Sequence, residues 1–125
     1  MTHFQHNTIA IILMVTAFKS LAGWKESNYV ELYCEGEIEY VLHDNSRVDC
    51  LTETHAIEYD YGEKWAEALG QSIFYSSQTG KKPGIVLIVK KSSKDRYLAR
   101  LNAAISHANI EIDVQTVSIK ETNLK

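Results

Sequence analysis

The run RVDCLTETHAIEYDYGEKWAEALGQSIFY, from Arg47 to Tyr75, constrains the fold of this chain most, because its hydrophobic period changes from two to between three and four partway along. Side chains alternate between the faces of a strand, so Glu58 and Asp60 share one face while Ile57, Tyr59 and Tyr61 share the other. In the helix predicted next, steps of three and four residues join Lys64, Glu67, Gln71 and Tyr75 into one stripe and Trp65, Leu69 and Ile73 into another. The spacing predicts that the apolar stripe packs on the sheet and that the polar stripe borders a site. Two acids side by side on one strand face repel unless a positive charge lies between them. A hard divalent cation such as Mg²⁺, held by one or two carboxylates with water and a phosphate, is the usual remedy. The plainer alternative makes Asp49, Glu58 and Asp60 the solvated side of a half-exposed strand. Against it, Glu58 and Asp60 are embedded in a β-branched and aromatic segment.

The rest of the chain builds an α/β pattern around that run. Glu26 to Glu35 reads as a helix, and Ile38 to His43 with Arg47 to Leu51 as a hairpin about Asp44-Asn45-Ser46, whose side chains suit a turn. His55 to Tyr61 is a third strand, and Glu63 to Ser77 the helix, stopped by Gly80 and Pro83. Gly84 to Lys90 is continuously apolar, the mark of a central strand covered on both faces. Ser93 to His107 is amphipathic through Leu98, Leu101 and Ile105, and Ile110 to Ile119 is a closing strand. The order α-β-β-β-α-β-α-β predicts a mixed central sheet flanked by helices. A chain of 125 residues, 45% hydrophobic, makes one domain with a real core and no room for a second.

Residues Thr8 to Phe18 (TIAIILMVTAF) form an apolar run short for a bilayer span, and Lys19-Ser20-Leu21-Ala22 follows it with the small residues of a leader-cleavage site. The expectation is a signal peptide over 1–22, cut after Ala22, and a mature domain over 23–125 that is periplasmic or secreted and not stably membrane-associated. An uncleaved anchor and a buried first helix are the alternatives, since the start offers His3 and His6 in place of Lys or Arg. Cys34 and Cys50 are the only cysteines. In an oxidising compartment they could join, pinning the end of the first helix to the strand that carries Asp49; otherwise they are two buried thiols. His43 and His55 do not complete a zinc spacing.

The order of elements, with Asp49 on the second strand and Glu58 on the third, resembles the core of the PD-(D/E)XK superfamily, the restriction-endonuclease-like nucleases. Gln71 and Tyr75, spaced as QxxxY on the following helix, are similar to the extra motif of its RecB-like branch, and GKKPGIVLIVK resembles the strand after it. The resemblance covers most of the chain after residue 30 and implies a nuclease that hydrolyses phosphodiester bonds of DNA, or of RNA, with Mg²⁺ or Mn²⁺. It implies Asp49 and Glu58 as metal ligands, Asp60 as a third ligand or water-orienting acid, and Gln71 and Tyr75 as groups orienting substrate or ligands. A further acid is expected near the first helix or its exit; among Glu35, Glu37 and Glu39, the alternation of Glu39 with Ile38 and Tyr40 favours Glu39. Many members act as dimers, so a homodimer is compatible with the resemblance.

One position departs from the pattern. Two residues after Glu58, where the family carries a lysine that stabilises developing negative charge, this chain has Asp60. Lys64, one helical turn on, could return an ammonium to the same place. If it does not reach, the domain is a non-catalytic binding module on a nuclease-like fold. The net charge of −3 also sits awkwardly with a polyanionic substrate. However, Lys81, Lys82, Lys90, Lys91, Lys94, Arg96 and Arg100 place seven of the thirteen basic residues within twenty positions, a run that can track phosphates or merely be solvated. No helix-turn-helix or aromatic-interleaved basic patch points to sequence-specific reading.

Overall fold

A computed structural model describes residues 23–120, and its compact unit runs from Lys25 to Ile119. The expected leader lies outside the described residues. Within them the chain runs α1 (Glu26–Tyr33), β1 (Glu37–Val41), β2 (Arg47–Leu51), β3 (His55–Tyr61), a 3₁₀ turn (Gly62–Lys64), α2 (Trp65–Thr79), β4 (Lys82–Val89), α3 (Lys94–Ala108) and β5 (Asp113–Ser118). The five strands form one mixed sheet in the order β1-β2-β3-β4-β5. The first two pairings are antiparallel, and β3–β4 and β4–β5 are parallel, each joined by a helical crossover. This is the α/β architecture expected from the sequence, a sheet flanked by helices. Among the described residues no helix is long and apolar enough to cross a membrane.

Every residue of β4 from Gly84 to Val89 is buried, so the strand fills both faces. On one face Val86 and Ile88 pack with Tyr59, Cys50 and the α1 residues Tyr29 and Val30. On the other, Ile85, Leu87 and Val89 meet Ala68 of α2 and Leu101 of α3. Each such fully buried aliphatic contributes on the order of 2 kcal/mol. A third cluster, Leu42, Val48, Ala56 and Tyr75, closes the far end of the hairpin against α2.

The β1–β2 hairpin turns on its expected residues. Asp44 Oδ1 accepts the Ser46 N–H at 3.0 Å and the Ser46 hydroxyl at 2.5 Å, while Asn45 takes a left-handed φ of 69°. Cys34 and Cys50 form a disulfide, with Cα atoms 5.7 Å apart, tying the end of α1 to β2. Between them, Gly36 passes so close to β2 that a Cβ there would lie 2.2 Å from the carbonyl oxygen of Leu51. No other residue type fits.

The helix α2 departs from the spacing prediction. Its buried residues are Ala68, Ser72 and Tyr75, with Trp65 and Leu69 half-buried, while Ile73 is 42% exposed. Small side chains let the helix sit close to β3 and β4, and Ser72 satisfies its hydroxyl on the Leu69 carbonyl at 2.9 Å. The stripe through Ile73 is therefore rotated outward, and the polar stripe is split: Tyr75 faces in, whereas Glu67 and Gln71 face solvent.

Candidate functional site

The site grows from a fault in the sheet. The β2–β3 ladder pairs only Cys50 with Ile57 and Leu51 with Ala56. Where the strands part, the Tyr59 N–H is taken by the carboxylate of Asp49, at 2.8 Å to Oδ2. The side chain substitutes for a missing backbone acceptor and is thereby fixed beside β3. Glu58 and Asp60, alternating with the core residue Tyr59, are only 6% and 5% exposed. They are not the solvated side of an open strand.

Four carboxyls converge. Glu58 lies within hydrogen-bonding reach of Asp49, and Glu26, from the first turn of α1, within reach of Asp60. Glu58 Oε2 is buried with no hydrogen-bond donor. A buried carboxylate oxygen in that position must carry a proton or meet a cation. Burial, then the charges of Asp49, Asp60 and Glu26, push the Glu58 carboxyl up to about 10. Burial, with the Asp60 and Asp49 charges behind it, pushes Glu26 to about 7. Asp49 is raised by burial despite the Tyr59 N–H that favours its ionised form. Asp60 is likewise raised by burial, against the pull of the Tyr61 N–H, 2.9 Å from Oδ1, and of the Lys64 ammonium. All four carboxyls are thus shifted toward their protonated forms.

The remaining expected residues divide. Lys64 stands in the 3₁₀ turn, exposed, and its charge acts on both Asp60 and Glu26, so an ammonium does border the cluster. The Tyr75 phenol is raised to about 12, by burial first and then by the charges of Glu58 and Asp49 behind it. It keeps its proton throughout the neutral range. Gln71 is exposed on α2, and no hydrogen bond joins it to the cluster.

Glu39 stands opposite Asp49 in the β1–β2 register, between the pairs Ile38–Cys50 and Tyr40–Val48. It lines a cleft of about 400 Å³ with Asp49, Glu26, Val30 and Ile38. Its charge adds to the upward pressure on Asp49, but its Oε2 is engaged by Arg47 Nη1 at 3.0 Å in an exposed pair. Glu35 and Glu37 are exposed.

Glu26 is the acid the sequence pattern missed. It precedes Tyr29 and Val30 by three and four residues, so it shares the stripe of α1 that faces the sheet. A carboxylate on an apolar stripe is the signal that could have found it.

The donor set is all-oxygen, acidic and partly buried, with one oxygen lacking a donor, and in chemistry it suits a hard divalent cation. As the side chains stand, no three Asp, Glu, His or Cys residues among those described are grouped so as to hold a metal ion. Comparison with known proteins adds no further constraint: no family model, no curated protein and no solved structure matches the chain.

Proposed function

We propose that this domain is an exported, restriction-endonuclease-like nuclease that hydrolyses phosphodiester bonds of nucleic acid, DNA in the first instance, with Mg²⁺ or Mn²⁺. The observation that carries the reading is the convergence of Asp49, Glu58, Asp60 and Glu26 at the point where β2 leaves β3, with Glu58 Oε2 buried and lacking a donor. The element order and the meander followed by two parallel crossovers agree with the resemblance to the PD-(D/E)XK superfamily. The Cys34–Cys50 disulfide agrees with export.

In this reading Asp49 and Glu58 would hold the cation, with Asp60 or Glu26 completing the set. When bound, the ion supplies Lewis acidity at a phosphoryl oxygen and lowers the pKa of bound water. The chain's own groups do the rest. The Tyr59 N–H orients Asp49, and the Tyr61 N–H orients Asp60 toward Glu26. Asp60 accepts a proton from water, and the Lys64 ammonium opposes charge building on a non-bridging phosphate oxygen. Tyr75, protonated and buried behind the pair, keeps bulk water from the back of the site.

A second reading has its own observation. Asp60 occupies the position of the family's lysine, and no ready-made group of three ligands is present among the described residues. Both fit a non-catalytic periplasmic binding module that keeps the fold. Calorimetric titration with Mn²⁺, alongside incubation with single-stranded, duplex and branched DNA, separates the two. The nuclease reading expects saturable binding and cleavage, both lost in Asp49→Ala. Intact DNA at enzyme levels where Asp49→Ala is indistinguishable from wild type sinks it.

A further inference from the structure

β4 divides the basic run of the sequence into two groups. Lys81 and Lys82 stand at its start, with Lys81 Nζ bonded to the Glu53 carbonyl at 2.6 Å, whereas Lys90, Lys91, Lys94, Arg96 and Arg100 follow its end. Eight strand residues separate the groups by roughly 25 Å. In the parallel register Asp60 pairs with Leu87 and Tyr61 with Ile88, so the second group lies at the same end of the sheet as Asp60 and Lys64.

That end is closely packed. A Cβ on Gly62 would fall 2.5 Å from Tyr97 Cδ2 and 2.8 Å from Val89 Cγ1, so α3 rests directly on the turn that carries Lys64. The Lys90 carbonyl accepts the N–H groups of Ser93 and Lys94 at 3.1 and 3.0 Å, closing Lys90–Lys94 into a tight turn. Arg96 lies over the Tyr97 ring, 4.8 Å from its centroid, and donates to the Tyr97 hydroxyl at 3.0 Å. All five basic residues are exposed, and the only acid among them in sequence is Asp95. None of the five forms an ion pair, the two pairs among the described residues being Arg47–Glu39 and His55–Asp113.

We propose that the surface from Lys90 to Arg100 is a phosphate-backbone track that receives nucleic acid flanking the acid cluster, with Lys64 as the link between them. The proposal rests on the nucleic-acid reading of that cluster and names where the strand lies. A row of exposed cations without ion-pair partners makes a local positive field on a protein of net charge −3, and such a field draws a polyanion. A strand tracking phosphates reaches the cluster by successive contacts. The row leads along one end of the sheet to Lys64 and the acid cluster, a path that an extended polyanion follows and that favours nucleic acid as the occupant.

The test uses the whole protein in EDTA, where cleavage is off, with fluorescein-labelled single-stranded and duplex oligonucleotides followed by anisotropy across a salt series. The triple variant Lys90→Gln/Lys91→Gln/Lys94→Gln should lose affinity by tenfold or more at low salt. Its slope of log K against log salt should shrink by about 0.9 per lost duplex contact and about 0.7 per lost single-strand contact. Lys82→Gln, at the far end of β4, should bind as wild type. All changed side chains are exposed, and equal thermal midpoints confirm folding. Equal binding by the triple variant overturns the track, as does wild-type protein that ignores oligonucleotides but binds anionic vesicles. Mn²⁺ titration of the wild type reads the acid cluster separately: oligonucleotide binding that the triple variant loses, without metal binding, keeps the track and sinks the nuclease.

Discussion

Glu39 shows how a single residue can be placed against its own backbone preference. Its φ of 54° lies in the left-handed region, which costs a residue with a Cβ about 1–2 kcal/mol, and it does so in the middle of β1. The exposed ion pair with Arg47 returns under 1 kcal/mol, so local energetics alone do not explain a glutamate there. Its position opposite Asp49 on the cleft does. Glu39→Gly should therefore raise the urea midpoint, by about 0.5–1 kcal/mol of stability, while weakening Mn²⁺ affinity in calorimetry. A variant that loses stability with metal affinity untouched makes Glu39 a structural residue and removes it from the candidate ligands.

At the scale of elements, the disulfide and the acid site are one construction, because Cys50 follows Asp49 and Cys34 ends the helix that begins with Glu26. Closing a sequence separation of 16 removes about 3 kcal/mol worth of unfolded-state entropy. Cys34→Ala/Cys50→Ala should lower stability by roughly that amount in denaturant titration. Reducing agent should act on wild type and leave the variant unmoved; a wild-type midpoint indifferent to reductant refutes the bridge. Elements with a strong single period were legible in the sequence: β3 spans His55–Tyr61 as its alternation predicts, and β4 is central as its unbroken apolarity predicts. The orientation of α2 was not, because hydrophobicity points to Ile73 whereas close packing on the sheet selects the smaller Ala68 and Ser72. That Glu58 and Asp60 share one face of β3 followed from strand alternation, whereas Asp49 was tied to them only by the resemblance. The hydrogen bond from Tyr59 to Asp49 did not, since it depends on where two paired strands separate, and Glu26 was hidden by its place on an apolar stripe.

For the molecule as a whole, two buried and two half-buried carboxyls reverse the usual response of an acidic protein to pH. Asp49, Glu58, Asp60 and Glu26 are all raised, first by burial, with Glu26 near 7 and Glu58 near 10. Asp44, held low by the Ser46 hydroxyl and N–H, pulls the other way but is fully exposed. Above the ordinary carboxylate range the unfolded chain has released protons that the native site still holds, so unfolding is accompanied by proton loss and stability falls as pH rises. The stabilising contribution is complete below about pH 4 and, for Glu58, is lost progressively up to about 10. Urea denaturation in EDTA should show the metal-free protein less stable at pH 8 than at pH 5, by up to about 1.4 kcal/mol per pH unit for each proton retained. Glu58→Gln, neutral at every pH, should match wild type at pH 5 and exceed it at pH 8. Adding Mn²⁺ at pH 8 should reverse the wild-type loss, by about 2.7 kcal/mol at a hundredfold excess over Kd, and should leave Glu58→Gln nearly unmoved. Wild-type stability that rises between pH 5 and 8 without metal contradicts the buried cluster. A falling curve that Mn²⁺ does not restore leaves a site built to hold protons, and the binding module in place of the nuclease.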